Sequence, residues 1–254
     1  MFTPVKTRRT FEEAVEQIAD AIRAGDLHAG DRLPSERVLA AQMAISRPTL
    51  REAIKVLADS GVIEVKAGPA GGMFVRSEVI PPKLLEERSK LRVSEVSGVL
   101  EARRLLEPRV AQLAALYATE EDFEAMRRTI ELQREHANDR ERFLQLDQRF
   151  HLRIARATRN ATIVALMRFL LRQLEIARDM SLRDTHEPDW TIEIHERTLQ
   201  AIMGGDPDEI DAAMDEHMSY LERMWEEESG RARLRKPPDF LLPRSERDKG
   251  RKKA

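Results

Sequence analysis

From residue 94 to residue 229 the chain repeats apolar side chains at spacings of three and four, and no two-residue alternation interrupts them. That period belongs to amphipathic helices and is incompatible with a half-buried sheet. Segments at 94–118, 120–136, 139–158, 161–183, 188–203 and 207–229 carry the pattern. Between them stand helix-ending and helix-starting residues: Thr119 before three acidic residues, Asn138-Asp139, Asn160, Glu187-Pro188 and Gly204-Gly205-Asp206-Pro207. Short connections make successive helices antiparallel neighbours, so the spacing predicts a six-helix antiparallel bundle. Phe150, Ile154, Leu166, Leu170 and Leu174 are assigned to its core.

The first quarter of the chain has a different pattern. Phe11, Val15, Ile18, Ala19 and Ile22 form the apolar stripe of a helix over 11–24, ended by Gly25. Pro34 and Ser35 open a second short helix, and Ser46 caps a third with Pro48 in its first turn, where a missing N–H costs nothing. The third helix buries Leu50, Ala53, Ile54 and Leu57 and stops at Gly61. Two β-like segments, VIEV and MFVR, follow around the loop KAGPAGG. Three helices and a hairpin make a winged helix-turn-helix, so the fold class is mainly α, with domains at 1–76 and 94–229 joined by a Pro-containing linker at 77–93.

Charge sharpens this division. The chain of 254 residues has a net charge of only −2, and residues 1–76 are nearly balanced, with 11 basic and 10 acidic side chains. Residues 231–254 carry ten Lys/Arg against three Asp/Glu and read as a disordered basic tail, solvated or loosely attracted to phosphates. Arg47 and Arg51 start the third helix beside Ser46 and Thr49. Guanidinium groups there can read guanine or clamp phosphate, whereas the plain alternative is a solvated helix surface. There is no cysteine, hence no disulfide or thiolate metal site, and no apolar run of membrane-spanning length. A cytoplasmic protein with no membrane partner is expected.

Three of the six histidines, His151, His195 and His217, fall in the helical region with Asp147 four residues before the first. Asp147 and His151 share one helix face. A histidine on a helix is ordinarily a surface or satisfied core residue, and Asp-His pairs at this spacing also arise as surface interactions. Together, imidazoles and a carboxylate suit divalent first-row metals and leave room for water or a small ligand.

Residues 30–75, with the LPSER turn, the SRPTLREA helix, the GVI exit and a glycine-containing wing ending in FV, resemble the DNA-binding domain of GntR-family transcriptional regulators. The resemblance implies DNA contacts from Arg37, Ser46, Arg47, Thr49, Arg51 and Gly68. Residues 94–225 resemble the FCD effector domain of the FadR subgroup through VLEARRLLEP, LDQRFHLRIARATRN and HERTLQAIMGGDPDEIDAAMDEHMSYL. In the metal-binding branch of that subgroup, the matching positions make Asp147, His151, His195 and His217 the ligands. The acyl-CoA-binding member lacks this set, so its ligand is not carried over. Arg103 matches the arginine directed into the cavity above the metal, where guanidinium and metal together would hold a small carboxylate. Its plain alternative is an ion pair with Glu107, and Arg104 is the alternative one position on.

The resemblance thus implies a cytoplasmic homodimeric regulator, not an enzyme, that binds an inverted-repeat operator in double-stranded DNA. A small carboxylate or sugar-acid effector and one divalent metal per chain would control it. Zinc is the first expectation, with nickel, manganese and iron compatible. Repression relieved by the effector is the expected direction. Two other readings stay open: a regulator sensing the metal itself, and a metal-dependent hydrolase, against which stands the absence of an H-E-x-x-H motif.

Overall fold

A computed structural model describes residues 10–68, 71–81, 84, 93–181 and 187–229. The expected basic tail, much of the expected linker and the tip of the wing loop lie outside these residues. The chain divides into two compact units, residues 1–88 and 89–254.

In the first unit, α1 (Thr10–Arg23), α2 (Glu36–Gln42) and α3 (Arg47–Asp59) precede β1 (Ile63–Lys66) and β2 (Gly72–Val75). The predicted apolar positions fold inward. Val15, Ile18, Ala19 and Ile22 of α1 meet Leu50, Ala53, Ile54 and Leu57 of α3, with Val62, Ile63, Met73, Val75 and Ile80 completing the cluster. The Ser46 hydroxyl caps α3 by accepting from the Thr49 N–H at 3.2 Å. Before it, Ala44 takes a left-handed φ of 52°, so the turn between α2 and α3 closes without the glycine usual for that conformation. The strands pair antiparallel, Ile63 opposite Val75 and Lys66 opposite Gly72, and an isolated bridge from Arg32 to Phe74 ties the pair to the segment before α2.

The second unit contains α4 (Val93–Tyr117), α5 (Glu120–Glu135), α6 (Arg140–Ala157), α7 (Ala161–Ser181), α8 (Pro188–Gly204) and α9 (Pro207–Ser229), matching the predicted segments to within a few residues. The caps are the predicted ones. Thr119 and Asp122 form a capping box on α5, Asp139 accepts from the Arg142 N–H, and the Asn160 side chain accepts from the N–H groups of Thr162 and Ile163. Helix α4 packs against α6, α7, α8 and α9, while α5 lies on α6 and α8. Phe143, Leu146, Phe150, Met167 and Leu174 are fully buried among them.

One core assignment fails. Leu166 is 51% exposed, and Phe169 beside it on α7 is 62% exposed. The helix period fixes which residues share a stripe but not how wide the buried stripe is. On α7 the inward side is taken by Met167, Leu170, Leu171 and Leu174.

Candidate metal centre and nucleic-acid interface

Helices α6, α8 and α9 bring Asp147, His151, His195 and His217 together in the bundle interior. One ligand atom from each lies within 4.8 Å of all the others, and all four residues are buried. Phe150 stacks on His195 with ring centroids 4.1 Å apart, forming an apolar wall. The His217 ring lies 4.8 Å from that of His151 and 4.9 Å from that of His195, centroid to centroid.

The electrostatics favour ligation. Burial above all, with the Arg103 guanidinium nearby, pushes His217 well below its ordinary pKa, although Asp147 pulls the other way. A neutral imidazole is the form that binds metal. The buried His217 Nδ1 has no hydrogen-bond partner. The donor set, three imidazoles and one carboxylate, therefore fits a divalent metal.

Two further residues hold the imidazoles. Gln133 Oε1 on α5 lies 2.8 Å from His195 Nδ1, so that nitrogen carries the proton and Nε2 is left for a ligand role. Glu107 Oε2 on α4 lies 2.5 Å from His151 Nδ1. Burial alone would raise the Glu107 carboxyl, but Arg103 and His151 outweigh it and bring the pKa down to about 2. Glu107 is therefore an anion, able only to accept.

Arg103 and Arg104 diverge. Arg103 is buried, forms an ion pair with Glu107 and sets its Nη2 3.4 Å from His151 Nε2, at the edge of the cluster. Arg104 points to α9, where its Nε donates to Glu222 Oε1 at 2.7 Å and its Nη2 donates to Ser219 Oγ at 2.9 Å, with Asp215 as a further ion-pair partner. Of the two candidates, the side chain at the cluster is Arg103, and the Glu107 pairing considered for it is present at the same time. Gln133 had no sequence signal: a lone glutamine on an amphipathic helix is recognisable only once α5 packs on α8.

In the first unit, Arg37, Ser46, Arg47 and Arg51 are exposed and Thr49 is half-buried. Glu36 gathers two of the arginines, with its Oε2 2.9 Å from Arg51 Nε and 3.5 Å from Arg47 Nη2. Gly68 has a φ of 100°, a conformation that a side chain would strain, and stands in open space. Lys66 and Arg32 both lie over the Phe74 ring, at 5.1 and 5.9 Å from its centroid, adding positive charge at the base of the wing.

A winged helix-turn-helix carried in one chain with a helical domain that buries an Asp/His cluster is the build of a bacterial transcriptional regulator. The chain belongs to the gntR family of bacterial regulatory proteins: residues 10–75 match the model of that family and residues 98–220 match that of the FCD domain. It is 30% identical over 248 residues to the Escherichia coli protein provisionally designated L-lactate dehydrogenase operon regulatory protein, covering 92% of this chain and 95% of that one. The Haemophilus influenzae Uxu operon regulator is 30% identical over 219 residues, 84% of this chain and 80% of its own. The Klebsiella aerogenes HTH-type transcriptional repressor NanR is 27% identical over 229 residues, 87% of each chain. Among the described residues, no helix is long and apolar enough to cross a membrane.

Proposed function

We propose that this regulator is a cytoplasmic, homodimeric repressor whose operator affinity is set by a small carboxylate or sugar acid. A divalent metal on Asp147, His151, His195 and His217 and the guanidinium of Arg103 would hold that effector. The observation that carries the reading is the convergence of four buried ligand atoms within 4.8 Å, with an arginine at their edge. The metal supplies a Lewis-acidic site for a carboxylate oxygen. The chain's own residues fix the imidazole tautomers through Gln133 and Glu107 and present a second cation, so an anion is favoured over a neutral compound.

Arg37, Ser46, Arg47, Thr49, Arg51 and Gly68 make the operator contacts in this reading. Two heads read an inverted repeat, one half-site each. The dimer finds support in the exposed apolar side chains of two helices that pack on each other, Leu105 and Leu106 on α4 and Leu166 and Phe169 on α7. Phe169→Glu is expected to yield monomers in sedimentation; unchanged dimers would remove this surface from the proposal. The centre binds and does not turn over substrate, in keeping with relatives that are regulators.

The test is thermal melting of metal-loaded protein against mono- and dicarboxylates and sugar acids, followed by operator binding with each hit. A rise in melting temperature with one compound, lost on chelation or in Arg103→Ala, supports the reading. One observation favours a second reading, a regulator of the metal alone: Arg103 is already paired with Glu107. No rise with any acid, together with operator affinity that follows metal concentration, would select it. Turnover of a hit would return the hydrolase to consideration.

A further inference from the structure

The side chain expected to hold the effector also stands on the face of a metal ligand. His151 has two ring nitrogens, and different residues face each. Glu107 Oε2 lies 2.5 Å from Nδ1 as a close charge contact, without the angle of a hydrogen bond, and an ionised carboxylate that near favours the tautomer with the proton on Nδ1. Nε2 is then the lone-pair nitrogen and the only one able to ligate a metal. Arg103 Nη2 lies 3.4 Å from that Nε2, at the long end of a hydrogen bond, and a guanidinium can only donate. The lone pair that would bind the metal is therefore turned toward Arg103. Arg103 is held there by its ion pair with Glu107, four residues on along α4, and both side chains are only 3% exposed.

We propose that Arg103 competes with the metal for His151, and that Glu107 is the positioning residue that sets the balance. The proposal rests on the metal centre described above and deepens it. The Nε2 lone pair can serve Arg103 or the metal, not both. An anion that draws the guanidinium off His151 raises metal affinity, and by thermodynamic reciprocity a bound metal raises affinity for the anion. Freed from Arg103, the Glu107 carboxylate acts wholly on the Nδ1 proton, which makes the imidazole a stronger ligand. Metal and effector then bind cooperatively through three side chains, with no rearrangement of helices required.

The experiment uses the full chain and metal alone as the probe, with zinc affinity read by competition against a chromophoric chelator. The two partners are predicted to act in opposite directions. Arg103→Met removes the competitor and is expected to tighten zinc binding by about tenfold, the equivalent of one charge-assisted hydrogen bond no longer displaced. Glu107→Gln removes the supporting charge and is expected to weaken it by about tenfold or more. Melting of each metal-free variant checks that it folds. Should either unfold, Arg103→Gln and Glu107→Asp read the same two signs with less disturbance; in Glu107→Asp the charge stays while the carboxylate withdraws from His151. Weakening in both variants, as a purely structural ion pair would give, overturns the proposal, and so does no change in either. A wild-type chain that takes up no zinc overturns this proposal and the metal centre together. Zinc binding by the wild type that is lost in His195→Ala, without opposite signs at positions 103 and 107, overturns this proposal alone.

Discussion

The two units handle charge in opposite ways. Of the seventeen buried polar or charged side chains among the described residues, two, Glu16 and Arg23, lie in the head and fifteen in the helical domain, which is only about twice its size. The head is held by an apolar cluster running from Ala14 to Ile80, and Arg32, Arg37, Arg47, Arg51 and Arg76 are exposed, with Arg23 alone among its described arginines buried. The helical domain encloses Arg103, Glu107, Asp147 and three histidines. An outward charge facing a polyanion costs nothing before DNA arrives. A buried ionic cluster carries a desolvation cost that is offset only when every member is paired. The head is therefore expected to keep its stability whatever the helical domain holds, whereas the stability of the helical domain is expected to follow occupation of its cluster.

The largest effect expected from this contrast is on removal of metal. A ligand binding only the folded state stabilises it by about 4 kcal/mol at a thousandfold excess over its Kd. Calorimetry of the metal-loaded chain should show chelation lowering the helical domain's transition while the head's stays in place, and His195→Ala should abolish the shift. Two transitions that fall together would break the comparison. Next comes Leu50→Ala, at a side chain with no exposed surface at the centre of the head. It is expected to cost roughly 3 kcal/mol, as truncation of a buried leucine does. Operator binding should fail while metal binding is kept, and loss of metal uptake in this variant would show that the units are not separable.

A smaller effect sharpens the contrast from the DNA side. Arg51→Ala should weaken operator binding by about 1–3 kcal/mol if the arginine reads a base. Its bridge to Glu36 is exposed, so melting should change by less than about 1 kcal/mol. Gel-shift affinity and melting on the same sample decide it: a loss of stability matching the loss of affinity would make Arg51 a structural residue.

How much of this could be read in advance depended on how local each cause is. Helix period and caps are local, so Thr119, Asp139, Asn160 and Ser46 announced the elements they start. Asp147 and His151 could be placed on one face because four residues span one turn. That α8 and α9 deliver His195 and His217 to the same point came from family resemblance, since nothing local encodes it. Which of two adjacent arginines turns inward is a question of helix rotation, settled by α9 offering Asp215, Ser219 and Glu222 to Arg104. Gln133 and the pairing of Glu107 with His151 were illegible because each depends on two helices meeting. Leu166 failed for a related reason: an apolar residue on a helix states a preference for burial, and the neighbours decide whether it is covered.

The finest test concerns a place in the head where a helix cap and an expected DNA contact share an atom. Ser46 Oγ accepts from the Thr49 N–H at 3.2 Å and lies 2.7 Å from Thr49 Oγ1, and both residues are expected at the DNA. Ser46→Ala removes the cap and should cost about 1 kcal/mol of head stability. By itself that leaves the mechanism ambiguous, because lost operator affinity could follow from a frayed α3. Ser46→Asp separates the causes. Aspartate is as good a cap, and its charge suits a helix N-terminus, so melting should hold or rise. The same charge would face a DNA phosphate, so operator affinity should fall further than in Ser46→Ala and recover less at low salt. Should Ser46→Asp bind the operator as well as the wild type, the start of α3 does not approach the backbone. The outward charge of the head would then have to engage DNA through Arg37 and the wing instead.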